Sequence, residues 1–191
     1  MRVLVACECS NTVRDAFLVR GHDAYSCDIQ RADHPNPNFR RHIRGDVRPL
    51  LKEPWDLVIA HPPCTYLCNS GVRWLSEREG RWQQMMDGAI FFLECMAANA
   101  PKVAVENPIM HKYSKGLIKF EPTQIIQPWW FGHPESKATC LWLRGLPLLT
   151  PTDINPNRNN TIHLLGGGHS KERSATFLGI ARAMAEQWGG Q

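Results

Sequence analysis

Short apolar runs, each closed by a polar or proline-bearing turn, are what most constrain this chain. Leu57-Val58-Ile59-Ala60 holds no polar residue and is cut off by His61-Pro62-Pro63. That is how a strand buried on both faces reads, because proline lacks an N–H and restricts the residue before it. Val3-Leu4-Val5-Ala6 and Val103-Ala104-Val105 have the same character, and Ala24-Tyr25-Ser26-Cys27 ends on Asp28. Gln124-Ile125-Ile126 and Cys140-Leu141-Trp142-Leu143 supply late strands. Helical patterns lie between them. Thr12 to Arg20 carries Val13, Ala16 and Phe17 at helical spacing and stops at Gly21. From Glu77 to Asn99, the stripe Trp82, Met85, Met86, Ala89, Leu93, Met96 and Ala97 predicts one amphipathic helix with that stripe in the core. A closing helix sets Phe177, Ala181, Met184 and Trp188 on one side, and Thr150 to Arg173 reads as loop. The alternation predicts an α/β fold over residues 1–191, a mostly parallel sheet with helices on both faces.

In such sheets ligands bind beyond the carboxyl ends of the strands. The polar residues fall at that edge: Cys7-Glu8-Cys9-Ser10-Asn11, Asp28, Asp46, His61 to Cys64, and Glu106-Asn107. One cleft accounts for them. Cys64 stands on a turn stiffened by two prolines, which suits a presented nucleophile, the thiolate being its reactive form. Taken singly, Cys64 also suits a small buried hydrophobe. Glu106 closes an apolar strand, where a partly dry setting raises a carboxyl's pKa and lets it hold or donate a proton near neutrality. Taken singly, it also suits a helix cap or an ion pair.

Composition sets the outer bounds. A hydrophobic share of 43% and a charged share of 21% suit a folded domain rather than a disordered one. No apolar run has the length to span a bilayer, and the apolar start is short and followed by Glu8, so a cytoplasmic location is expected. Seven cysteines without regular spacing argue against a disulfide framework, and with no pair of CxxC knuckles no metal is expected. Twenty-two Lys and Arg against eighteen Asp and Glu leave a net charge of +4. Arg31, Arg40, Arg41, Arg44 and Arg48, with His34 and His42, form the one local excess, facing only Asp33 and Asp46. Such a cluster suits phosphate contacts, with Arg40 and Arg41 as candidate substrate-binding residues, and equally a solvated loop with a few ion pairs.

The motif order along the chain resembles that of a DNA cytosine-5 methyltransferase catalytic domain. Asp56-Leu57-Val58-Ile59-Ala60-His61-Pro62-Pro63-Cys64 is similar to the family's nucleophile motif, whose core is Pro-Pro-Cys, and Val105-Glu106-Asn107-Pro108 to its Glu-Asn-Val motif. Asp28 falls where the family holds the cofactor ribose, and Gly45-Asp46-Val47 resembles the segment contacting the adenine. Gly132 to Lys137 resembles the Pro-Gln-Arg-Arg segment, and Ser174 to Trp188 the closing helix. The resemblance implies a Rossmann-like class I methyltransferase fold. It implies S-adenosyl-L-methionine as cofactor, with Cys9, Ser10, Asn11, Asp28, Ile29, Asp46 and Pro62 around it. Cys64, Glu106 and Asn107 are the implied catalytic residues, and Pro63, Lys137 and Thr139 the implied contacts to a cytosine in duplex or single-stranded DNA.

The chain departs from the pattern in places. Cys7-Glu8-Cys9-Ser10-Asn11-Thr12 has no glycine where the family has a glycine-rich loop, although Asn11 can adopt a left-handed turn. Thr65-Tyr66-Leu67-Cys68 replaces Gln-Gly/Ala-Phe-Ser after the nucleophile, Lys137 takes the place of one arginine, and Thr139 stands where a second is expected. Leu141 to Arg173 is too short for the usual target-recognition domain. The implied enzyme therefore reads little sequence context, relies on a helper protein, or dimerises. A free cytidine nucleotide or RNA as substrate, and an inactive nucleic-acid-binding relative, are the other readings.

Overall fold

The computed structural model describes residues 1–33, 40–164 and 174–190. His34 of the basic cluster and residues 165–173 of the predicted loop lie outside them. The strands are β1 (Arg2–Ala6), β2 (Asp23–Asp28), β3 (His42–Arg44), β4 (Leu57–Ala60), β5 (Lys102–Pro108), β6 (Gln124–Ile126) and β7 (Thr139–Arg144). The helices are α1 (Thr12–Val19), α2 (Arg48–Leu51), α3 (Trp74–Glu77), α4 (Arg81–Met96), α5 (Lys112–Ile118), α6 (Thr161–Leu164) and α7 (Leu178–Gly189).

The strands form one sheet in the order β3-β2-β1-β4-β5-β7-β6. Pairing is parallel from β3 to β5, while β7 runs antiparallel to both β5 and β6. This is the Rossmann-like class I methyltransferase fold, with one reversed strand inserted beside the edge. Alternate residues of the central strands feed two cores, as the two-residue period of a strand demands. Leu4, Ala6, Val58, Ala60, Val103 and Val105 pack with α4 through Met85, Ala89, Phe92 and Cys95. Val3, Val5, Leu57, Ile59 and Ala104 pack on the other face with Phe17 of α1 and with Ile180, Met184 and Trp188 of α7.

Three sequence expectations need correction. The helix predicted from Glu77 to Asn99 is α4 alone, shorter at both ends: α3 finishes at Glu77, and Gly80, at φ 72°, is the N-cap from which α4 starts. The predicted core stripe mixes two faces: Trp82 and Met86 are exposed, while Phe92 and Cys95 are fully buried. Residues 85, 89 and 92 keep the four- and three-residue steps of one helix face, and 82 and 86 lie beside it. The segment read as loop from Thr150 contains the helical turn α6. The sequence also hid β3, whose His42-Ile43-Arg44 is too short and polar to read as a strand, and α5, whose His111 cap accepts from the Ser114 N–H at 3.2 Å. Among the described residues no helix is long and apolar enough to cross a membrane.

Candidate active site

The carboxyl ends of β1, β2, β4 and β5 bring most of the candidate residues to one edge. The turn after β1 solves its lack of glycine with two other residues in the left-handed region, Cys7 at φ 59° and Asn11 at φ 65°. The Cys7 N–H donates to the Cys27 carbonyl at 2.7 Å, and Asn11 accepts from the Ser26 hydroxyl at 3.3 Å. Asn11 tolerates this conformation better than most residues. The N-terminus of α1 is capped from within: Glu8 accepts from the Val13 N–H at 2.6 Å, the Arg14 N–H at 3.2 Å and the Ser10 hydroxyl at 3.2 Å. A carboxylate suits a helix N-terminus, yet Glu8 is almost wholly buried. Burial pushes its pKa up, against the opposing pull of His61 and these hydrogen bonds.

At the centre, the parallel register pairs Ala60 of β4 with Val105 of β5. One residue further, His61 and Glu106 face each other, with Nδ1 and Oε2 3.2 Å apart and the side chains only 12% and 17% exposed. One residue further again, the Asn107 amide donates to the Pro62 carbonyl at 3.0 Å. The two strand-end motifs are thus joined rung by rung, and Cys64 follows directly. Cys68 follows one turn on, where its N–H donates to the Cys64 carbonyl at 3.0 Å and its sulfur lies 3.0 Å from the Ser70 hydroxyl. The neighbouring Cys64 and the donors from Ser70 bring Cys68 down to about 5 despite burial. Cys64 is pushed up by its neighbour Cys68, by burial and by the charge of Glu106.

The loop carrying Cys64 is clamped from two sides. Arg81, at the start of α4, donates from Nη2 to the Thr65 carbonyl at 2.7 Å and lies over the Tyr66 ring at 4.2 Å. His111 Nε2 lies 3.1 Å from the Tyr66 carbonyl, and the Ser114 hydroxyl donates to the Leu67 carbonyl at 2.7 Å. Gly71 is required here, since a Cβ would sit 2.6 Å from both the Arg81 guanidinium and the Thr65 carbonyl.

Glu106 opens onto a recess whose walls include Lys137, Thr139, Ser174 and Phe177. Lys137 Nζ lies 5.8 Å from the Phe177 ring centre, and Thr139 begins β7 opposite Pro108. Pro62 is buried and Pro63 exposed. Asp28 ends β2 and accepts from the Gln30 N–H at 2.8 Å, and the neighbouring Ile29 is exposed. Asp46 follows β3 and pairs with Arg48 at 3.3 Å. Cys9 faces Asp33 across 3.6 Å, and Ser10 is partly buried. The structure does not bring Arg40 and Arg41 to Cys64. They precede the edge strand β3, which β2 and β1 separate from β4, and Arg41 is ion-paired with Asp23. Arg48 bonds Glu94 as well as Asp46. His61, Glu8, Cys68 and Arg81 received no role from the sequence. A histidine directly before Pro-Pro, and an acid five residues before a helical Val, were the signals available.

No protein-family model matches the chain, and no curated protein does. Among solved structures, it is similar to a prophage-encoded E. coli protein described as a DNA modification methyltransferase, with 16% identity and a TM-score of 0.46 over 81% of this chain and 51% of that one. It is similar to the Entamoeba histolytica methyltransferase EhMeth, with 16% identity and a TM-score of 0.48 over 80% and 57%. A third is WbdD, crystallised with the kinase inhibitor LY294002, with 12% identity and a TM-score of 0.40 over 81% and 38%. The chain thus spans less than two thirds of the length of each of these neighbours.

Proposed function

We propose that this chain methylates carbon 5 of cytosine in DNA through a covalent adduct to Cys64, with S-adenosyl-L-methionine as methyl donor. The observation that carries the reading is the join between the ends of β4 and β5, where Cys64 and Glu106 reach one side of the sheet edge and Asn107 ties the two turns. A nucleophile and a proton-holding carboxyl at adjacent strand ends suit addition to one ring atom with charge balanced at another.

The donor set fits the methyl donor at its nucleoside end. Asp28 and Asp46 offer carboxylates at consecutive strand ends, beside a turn whose left-handed residues keep its backbone compact. When bound, the cofactor supplies an electrophilic methyl group. The chain's own residues do the rest. The Cys64 sulfur adds to carbon 6, which places electron density on carbon 5. Glu106 holds a proton at ring nitrogen 3 and accepts from the exocyclic amine, with Lys137 and Thr139 beside it. Once carbon 5 carries the methyl group, a water molecule takes the carbon-5 proton, the electron pair re-forms the ring double bond between carbons 5 and 6, and Cys64 leaves as the thiolate. General acid assistance of this kind contributes roughly 10²- to 10⁴-fold in rate. In duplex DNA the base must first leave the stack, at a cost of a few kcal/mol.

A second reading, an inactive relative that keeps the fold, is favoured by one observation: Glu8 already occupies the first free N–H groups of α1. Incubation with tritiated S-adenosyl-L-methionine and, separately, duplex DNA, single-stranded DNA, RNA or dCMP decides between them. Label in DNA and not in dCMP supports methylation of DNA. Label in dCMP alone overturns it, and absence of both label and cofactor binding supports the inactive relative.

A further inference from the structure

His61 is the least expected group at this edge. Its ring is nearly enclosed, Nδ1 lies 3.2 Å from Oε2 of Glu106, and Nε2 is buried with no hydrogen-bond partner among the described residues. The His61 N–H donates to the Ala6 carbonyl at 2.9 Å, which fixes the backbone beneath the ring to the end of β1. Three charged groups bear on the imidazole: Glu106 from β5, Glu8 from the turn after β1, and Lys137 from the segment before β7. A neutral ring donating from Nδ1 would leave Nε2 as a buried acceptor with no donor among the described residues. An imidazolium keeps the Nδ1 N–H for Glu106 and carries a charge that Glu106 and Glu8 both favour. Burial opposes the charged ring, but the bond to Glu106 and the two carboxylates outweigh burial and Lys137, so His61 is raised from its ordinary value.

We infer that His61 is a positioning residue for Glu106. With Nδ1 3.2 Å from Oε2, it holds that oxygen so that Oε1 is the one presented to the pyrimidine. The inference rests on the reading of Glu106 as the group that meets the ring, and it adds a link between the turn after β1 and that carboxyl. Holding one carboxylate oxygen fixes the plane of the other, and a misplacement of about 1 Å at such a group costs on the order of 10²-fold in rate. Because the clamp needs the ring proton, turnover is expected to fall as pH rises through the value at which folded His61 titrates.

Two measurements test this on the intact protein. Imidazole NMR of the wild type should show His61 titrating above about 6.5, the ordinary histidine value. Glu106→Gln should bring it down, and Glu8→Gln should do so by less. Titration at or below the ordinary value, or no movement in Glu106→Gln, overturns the clamp. On DNA, His61→Ala should lower kcat roughly ten- to a hundredfold with little change in KM. His61→Asn, which keeps an N–H near the Nδ1 position, should recover most of that loss and abolish the alkaline fall in kcat. A His61→Ala enzyme with the wild-type kcat and pH profile overturns the positioning role. If the wild type labels no acceptor, the methylation reading fails, while the titration alone still decides whether His61 holds Glu106.

Discussion

The Asn107 side chain reaches across from β5 to hold the Pro62 carbonyl at 3.0 Å, two residues ahead of Cys64. Pro62 has no N–H of its own to extend the parallel pairing, so a side chain takes over where the backbone ladder ends. The pairing Ala60 with Val105 continues through His61 and Glu106 to this bond. The position of Cys64 is therefore set by the strand that carries Glu106.

Asn107→Ala removes the only donor on that carbonyl among the described residues, in a buried setting. The expected cost is about 1–3 kcal/mol, read as a lowered urea midpoint, together with slower methyl transfer because Cys64 is no longer registered against Glu106. Asn107→Asp should be worse at neutral pH, since it sets an acceptor against an acceptor. Unchanged stability and rate in Asn107→Ala would show that the two prolines alone hold the turn.

Cys68 is brought down to about 5 by its neighbour Cys64 and the Ser70 donors. Cys68 in turn raises the Cys64 thiol, together with burial and the charge of Glu106. Cys68→Ala should therefore move the alkylation of Cys64 by iodoacetamide to lower pH, followed by mass spectrometry of the peptide that bears it. Cys64→Ser should abolish methyl transfer while cofactor binding persists. If Cys64→Ser keeps full activity, the covalent route is wrong.

The sequence made some of this legible and hid the rest for physical reasons. The central strands were readable because both of their faces are buried, so their residues are uniformly apolar. The order of elements placed Cys64 and Glu106 at one sheet edge. Register is a different matter. That His61 lies opposite Glu106 depends on which residue of β4 pairs with which of β5, and neither Leu57-Val58-Ile59-Ala60 nor Val103-Ala104-Val105 carries a polar alternation to fix it. The clamp on the Cys64 loop was hidden for a related reason. Arg81 lies at a helix start, where a basic residue reads as a solvated face, yet it is nearly buried and turned inward. Arg41 takes the second of the two readings its arginine cluster left open, an ion pair, with Asp23 as the partner that the sequence did not name.

Arg81 bonds the Thr65 carbonyl and covers Tyr66, so it restrains the segment after Cys64 rather than Cys64 itself. Arg81→Met keeps the apolar stem and loses the bond, and Gly71→Ala should produce the same defect by pushing the guanidinium and the Thr65 carbonyl apart. Both variants are expected to lower kcat roughly tenfold, by the cost of misplacing a reactive group, and to speed tryptic cleavage after the exposed Arg73. Cofactor affinity should not change. A variant that loses cofactor affinity in step with kcat would assign Arg81 to the fold as a whole.

Glu8 makes stability depend on pH in a direction opposite to that of a paired surface carboxylate. Its folded pKa is raised by burial above the ordinary value of 4.5, even though His61 and the Val13 and Arg14 N–H groups pull it down. The folded chain therefore holds more protons than the unfolded chain as pH climbs past 4.5, and stability falls as pH rises. The contribution is complete below 4.5 and is lost as pH passes through the folded value. His61, also raised, acts with the same sign above its ordinary value of 6.5, while Cys68, brought down to about 5, and His22 and His133, both lowered from 6.5, act with the opposite sign, so Glu8 is read from the difference between wild type and Glu8→Gln. Across pH 4.5 to 6.5 the urea midpoint of the wild type should fall relative to that of Glu8→Gln as pH rises. Equal slopes would mean that the helix N–H groups and His61 cancel the cost of burying the Glu8 charge. In that case the capping carboxylate would be ionised throughout and the turn after β1 would carry a fixed negative charge beside the cofactor edge.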